Sequence, residues 1–466
     1  MKRTSAIRLL ATIATAVVVA ALLAGRNVSA GSSGPGSFVS PDTAGLLQTV
    51  DLNGAIDLTN PFFAKLGTNG RRCVTCHLPH EGWSITPEGV RFRFALTQGT
   101  DPIFRSNDGS NCQDATPHTL AERRAAYSLL LDRGLIRVGL DLPANAEFTV
   151  DRVDDPYGCS PGTDDVSVYR RPLPSTNLRF LSAVMWDGRE SSAATTVRED
   201  LLRQANDATR GHAAALADLS ADQARQIVDF ETGLFTAQIR DARAGSLRAG
   251  GATGGSLHLS GQPFFIGIND PVGLNPTGAP FDPEVFDAFA AWLALGPSHD
   301  PTTEARRAIA RGQALFNSKL FTVSGVAGLN GQLFPSGVTP PASFQGTCTI
   351  CHDAPNVGDH SVKAPLNIGL TDPAVAPYLP VYTVRNLQSG ETVRTTDPGR
   401  ALITGRWADV GKFKGPILRA LAARAPYFHN GSARTLDEVV DFYDTRFAIG
   451  FTRREKADLV AFLRAL

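Results

Sequence analysis

Four of the six cysteines in this 466-residue chain fall in two runs of one pattern, Cys73-Val74-Thr75-Cys76-His77 and Cys348-Thr349-Ile350-Cys351-His352. Each C-x-x-C-H run has what is needed to attach a c-type haem. Two thiols at this spacing add across the two vinyl groups of one porphyrin, and the next residue sets an imidazole beneath the iron. Two covalently bound haems are therefore the expected cofactors, with His77 and His352 as proximal iron ligands. A zinc knuckle would need four well-placed ligands, and a redox dithiol does not call for the histidine. Cys112 and Cys159 have no histidine beside them, and in an oxidising compartment a disulfide between them is the simplest account. It would close a loop of about 47 residues, worth about 4 kcal/mol in chain-entropy terms.

The elements that must position these groups can be read from caps and breakers. Asn60 to Arg72 and Glu304 to Asn317 look helical and would open two haem units. Ser220 with Gln223, and Thr452 with Glu455, make capping boxes for the closing helices. The units are bracketed at 45–240 and 301–466, joined by a Gly- and Pro-rich connecting segment at 241–300 with one short helix near FDAFAAWLAL. An insertion at about 84–175 has its own signals: Thr119 and Glu122 cap a helix through Leu131, Gly134 ends it, and LIRVGL and EFTVDRV alternate like a hairpin. The expected fold class is mainly α: two cytochrome c-like haem domains, with a small mixed α/β insertion in the first.

Residues 1–30 read as a secretory signal peptide, with a basic start, an apolar run from Leu9 to Leu23 and small residues at Val28 and Ala30. Periplasmic location without a stable membrane anchor is expected. Formal charge is zero over the whole chain. Removing the leader takes away Lys2, Arg3, Arg8 and Arg26 and no acid, which leaves a net charge of −4 and no electrostatic case for binding nucleic acid.

Between and after the haem motifs lie WDGR (Trp186 to Arg189), FKGPILR (Phe413 to Arg419), APYFHNG (Ala425 to Gly431) and LDEVVDFY (Leu436 to Tyr443). On these motifs the chain resembles the bacterial di-haem cytochrome c peroxidases and the related MauG-type enzymes. The resemblance implies hydrogen peroxide as substrate at the N-terminal haem. Electrons would come from a small periplasmic donor such as a cytochrome c or a cupredoxin, through the C-terminal haem. It makes Trp186 the relay between haems, a role compatible with that of a buried core aromatic. The methionine ligand of the family's second haem matches Tyr443, as in the MauG branch. Without the resemblance, Tyr443 is one member of a core stripe with Leu436, Val439 and Val440. His429 matches a histidine near the C-terminal haem.

After WDGR the pattern departs from the family. Ungapped counting puts Thr196 and Asn206 where a glutamine and a glutamate are expected. An eight-residue insertion instead aligns Gln204 with the glutamine and brings His212 near the glutamate. His212 then reads as acid and base, as a sixth iron ligand, or as a surface histidine in a linker. Calcium is doubtful, because Arg171 stands where the family has an asparagine. Two other functions remain open: MauG-like oxidation of a protein or organic substrate, and a plain di-haem electron carrier.

Overall fold

The computed structural model describes residues 36–466 except 160, 161 and 164. The expected leader, residues 1–30, lies outside the described residues. Among those described, no helix is long and apolar enough to cross a membrane.

The chain is not mainly α. Helix accounts for 31% and strand for 16%, with the strands spread over four sheets. Two physical causes replace the expected pair of helical cytochrome c-like units with a mixed architecture. Segments flanking the haem motifs are broken by glycine and proline, and extended segments far apart in sequence pair with one another. Asn60 to Arg72 shows the first cause. Only Pro61–Phe63 turns helically, Gly70 has φ of +83°, and a Cβ on Gly67 would stand 1.9 Å from the Ala213 carbonyl oxygen. The second expected opening helix does form, as Pro301–Ser318 capped by Asp300.

A four-stranded antiparallel sheet orders Gly36–Pro41, Gly45–Asp51, Leu234–Asp241 and Gly245–Ser246. In the insertion, Thr119 and Glu122 cap Leu120–Ala126, and a second short helix, Ser128–Arg133, stops at Gly134. The expected hairpin does not form. Ile136–Asp141 pairs instead with Asp165–Arg170, and Phe148–Asp154 pairs with Val381–Asn386 of the C-terminal half. Both pairs feed one apolar cluster, in which Phe148, Val150, Val166, Val168, Tyr382 and Val384 are buried. Burying alternate residues of four strands together removes more apolar surface from water than one isolated hairpin can. Cys112 and Cys159 are disulfide-bonded, which ties the loop before these helices to the segment before the last strand.

The largest core lies in the C-terminal half, where Pro301–Ser318 packs on Arg453–Ala465. Phe286, Phe316 and Phe462 meet edge to face there. Gly312 permits the approach, because a Cβ at that position would lie 2.0 Å from the Asp458 carbonyl oxygen. A second core holds Phe62, Trp83, Phe230 and Leu234 beside the first haem motif.

Candidate functional site

Both C-x-x-C-H runs fold as the same tight turn. Cys73–Thr75 and Cys348–Ile350 are single 3-10 turns. The amides of Cys76 and His77 both donate to the Cys73 carbonyl, and those of Cys351 and His352 to the Cys348 carbonyl. His77 Nδ1 lies 3.0 Å from the Trp83 carbonyl oxygen and His352 Nδ1 lies 2.6 Å from that of Gly358. Each Nδ1 therefore carries the proton and donates it, which leaves the Nε2 lone pair free, the second-shell arrangement of a metal-binding histidine.

Each turn opens on a cavity. The first, of about 180 Å³, is lined by Cys73, Cys76 and His77 together with Trp186, Gln204, His212 and Glu231. The second, of about 190 Å³, is lined by Cys348, Cys351 and His352 together with Trp186, His429 and Tyr443. Trp186 borders both. It is 8% exposed, and its indole N–H donates to the Arg171 carbonyl at 2.8 Å.

Whether these cavities suit a haem is tested by their chemistry. Burial pushes the Cys73, Cys348 and Cys351 thiols up to about 12 and raises Cys76 as well. No cation holds any of them as a thiolate, as a redox dithiol or a zinc site would require. All four are free cysteines, so both thiols of each turn remain available to add to a porphyrin's vinyl groups. Arg171, Lys414 and Arg424 border both cavities. Burial lowers Arg171 to about 9 and Arg424 to about 10 and also draws Lys414 down. None of the three forms a salt bridge among the described residues. Buried cations without an ion pair are costly, and the propionates of a porphyrin are anions that would neutralise Arg171 and Arg424, while Lys414 has the buried Asp359 as its acidic neighbour. The residues fit the group.

One face of the helix Val197–Gly211 projects Leu201, Gln204, Ala205, Ala208 and Thr209 into the first cavity, and His212 is its C-cap. His212 Nδ1 meets Asp108 Oδ2 at 2.5 Å, and Asp108 is held in turn by Arg71. Thr196 and Asn206, the ungapped alternatives, do not line the cavity. Thr196 caps the helix N-terminus, and the Asn206 side chain accepts from the Leu219 amide.

Tyr443, on Leu436–Phe447, is placed both ways the sequence allows. It packs against the C-terminal core, and it lines the second cavity with no hydrogen bond to its hydroxyl among the described residues. Burial, then the nearby thiols of Cys351 and Cys348, raises its pKa. Met185 lines the first cavity rather than the second. His429 is 1% exposed, stacked 3.9 Å from the Phe413 ring and 6.2 Å from Trp186, and neither ring nitrogen has a hydrogen-bond partner among the described residues. Beside it Arg170 is buried between Asp397 and Asp187. Arg171, at the doubtful calcium position, gives its guanidinium to backbone carbonyls including Gly134 at 3.0 Å and Arg424 at 3.2 Å.

Sequence reasoning misses three groups. Asp108 and Arg71 come to His212 from loops whose meeting nothing local foretells. Glu231 lines the first cavity, and burial alone raises it to about 8. Its signal is readable: an acid on the buried stripe Ile227, Val228, Phe230 and Leu234.

No family model matches the chain. Among curated proteins, the cytochrome-c peroxidase IdrP1 of Pseudomonas sp. (strain SCT) is 33% identical over 211 residues, covering 40% of this chain and 54% of that protein. IdrP2 of Denitromonas iodatirespirans is 37% identical over 136 residues, covering 26% and 36%. Cytochrome c551 peroxidase of Nitrosomonas europaea is 32% identical over 126 residues, covering 26% and 31%. The alignments thus span about half of a relative's length at most. A solved structure described as a MauG-like protein associated with microbial copper homeostasis aligns over 87% of this chain and 86% of that one, at 17% identity and a TM-score of 0.39, a score too low to identify a common fold.

Proposed function

We infer that this chain, a relative of the di-haem cytochrome c peroxidases and MauG-type proteins, is a c-type cytochrome oxidoreductase that reduces hydrogen peroxide. It holds two haems, one by Cys73, Cys76 and His77 and one by Cys348, Cys351 and His352, in regions spanning 45–240 and 301–466. Its electrons come from a small donor such as a cytochrome c or a cupredoxin, and residues 1–30 direct it to the periplasm. The carrying observation is the pair of cavities, each opening on an identical C-x-x-C-H turn and sharing Trp186 as a common wall.

Haem bound at these turns supplies the redox chemistry. The chain's own residues hold it and manage protons. Arg171 and Arg424 would neutralise its propionates. Reducing hydrogen peroxide to two waters takes up two electrons and two protons, and two groups that can move protons line the first cavity. His212, whose Nδ1–H donates to Asp108, keeps Nε2 to take a proton from one peroxide oxygen and return it to the other, which adds no net proton; of the two protons consumed, the protonated Glu231 carboxyl can donate one and solvent supplies the other. Gln204 adds an amide that can orient a bound peroxide. Trp186, packed on the wall common to both cavities, serves as the electron relay.

The test is electrospray mass for two attached haems and stopped-flow oxidation of a reduced cytochrome c or cupredoxin by peroxide. A two-haem protein that oxidises no donor in the presence of peroxide ends this reading. A second reading, MauG-like oxidation of a protein or organic substrate, draws on the free Tyr443 hydroxyl in the second cavity, where Met185 does not reach. Tyrosinate ligation would lower that iron's potential and disfavour ordinary donor-driven turnover. Loss of a low-spin ferric signal in Tyr443→Phe supports it. Fast turnover with donor and no organic product removes it.

A further inference from the structure

The loop that follows the second haem motif carries a cluster that the haem does not use. Asp353, next to His352, is fully buried. His360, eight residues past His352, is 4% exposed, and Asp270, from the connecting segment 241–300, is 2% exposed. One carboxylate oxygen from each aspartate and one ring nitrogen of His360 lie within 4.8 Å of one another. His360 Nε2 is 4.0 Å from Asp353 Oδ2.

Each member is oriented from behind. His360 Nδ1 donates to the Ala364 carbonyl at 3.1 Å, which leaves its Nε2 lone pair toward Asp353. Asp353 accepts from the Ser361 amide at 2.6 Å and from its hydroxyl at 3.1 Å. Asp270 Oδ2 accepts from the amides of Val272 and Leu274, while its Oδ1, buried, has no hydrogen-bond partner among the described residues. A backbone carbonyl behind the imidazole and hydrogen bonds behind the carboxylates are the second shell of a metal site.

Charge makes the same demand. Asp359, the other buried acid of the loop, has Lys414 as its cationic neighbour. Among the described residues, no lysine or arginine forms a salt bridge with Asp270 or Asp353. Burial raises the Asp353 carboxyl to about 8 and raises that of Asp270, so without a cation both can keep their protons; a divalent cation that displaces those protons would satisfy both carboxylates at once. Donors each about 2.1 Å from one ion stand about 3 to 4.2 Å apart, so the cluster needs only small side-chain movements to close on it.

We propose that Asp270, Asp353 and His360 form a structural site for a divalent transition-metal ion that fastens the connecting segment to the second haem-attachment loop. Mixed imidazole and carboxylate donors suit Zn²⁺, and water completes the coordination. The surroundings already converge there, since the Asn269 side-chain amide donates to the Asp353 carbonyl at 3.1 Å and the Gly267 amide to the Ser361 carbonyl at 2.9 Å. The site is independent of peroxide reduction and stands if that reading fails.

The probe is Zn²⁺ with the untagged, haem-loaded full chain. Protein produced and folded with excess Zn²⁺, then desalted, should carry one zinc per chain by mass spectrometry of the elements, and crystals should show zinc-edge anomalous density between the three side chains. Asp270→Asn, close in shape, and His360→Gln should each lower zinc to under a tenth per chain while the haem absorption spectrum stays as in the wild type. Zinc-free wild-type protein, anomalous density elsewhere, or full zinc retention in both folded single variants each overturn the proposal. The wild-type measurements decide it even if a variant does not fold.

Discussion

Replacing Glu231 by glutamine should flatten the pH dependence of stability. Glu231 is 7% exposed, and burial alone lifts its carboxyl from the ordinary 4.5 to about 8. Between those values the folded chain keeps a proton that the unfolded chain has released. Unfolding then loses a proton, so stability falls as pH rises. The contribution is complete below about pH 4.5 and is lost as pH climbs through 4.5 to about 8. At about 1.36 kcal/mol per pH unit, that interval amounts to about 5 kcal/mol. Glu231→Gln is neutral throughout and keeps the shape. Urea unfolding of the haem-loaded wild type and variant, followed by circular dichroism from about pH 5 to about pH 9, gives the comparison. Over that range the wild type should lose about 4 kcal/mol relative to the variant, mostly below pH 8. Two curves that stay parallel within about 1 kcal/mol would refute the burial argument, and with it the claim that Glu231 holds a proton at neutral pH.

His212→Ala should lower peroxide turnover by about a hundredfold or more, the scale of a lost acid and base, and Asp108→Asn should shift the pH profile of kcat/KM at unchanged haem content. Gly312→Ala should destabilise the C-terminal half and lower Tm, because its Cβ would fall 2.0 Å from the Asp458 carbonyl oxygen; an unchanged melting curve would mean the two helices can part. Joint replacement of Cys112 and Cys159 by alanine should cost about 2–5 kcal/mol, read from the urea midpoint, with the haem absorption spectrum unchanged.

Chemistry set by local spacing is legible in the amino-acid sequence. The haem turns, the capping boxes at Ser220 and Thr452, the helix Pro301–Ser318 and the Cys112–Cys159 bridge rest on contacts a few residues long or on a single pairing. Pairing between distant strands is not legible in that way. LIRVGL and EFTVDRV alternate correctly as strands, but alternation names no partner, and each finds one elsewhere. Asn60 to Arg72 misleads because glycine and proline outweigh an apolar pattern. In the candidate site, Gln204 and His212 require an alignment gap that their shared cavity makes reasonable. Asp108, Arg71 and Glu231 depend on tertiary contact or on burial, which no short motif records.

The pairing of Phe148–Asp154 with Val381–Asn386 bears on how the chain matures. Arg385 and Asp151, joined at 2.7 Å across it, are 234 residues apart in sequence. A chain emerging N-terminus first presents the earlier strand long before its partner exists. Until then neither edge of that strand is paired, and either can pair with another nascent chain. The first C-x-x-C-H motif is complete by residue 77, well ahead of that moment, so haem could be attached to a chain whose three-stranded sheet is still unfinished. The interval between the two events is when a chaperone would matter most.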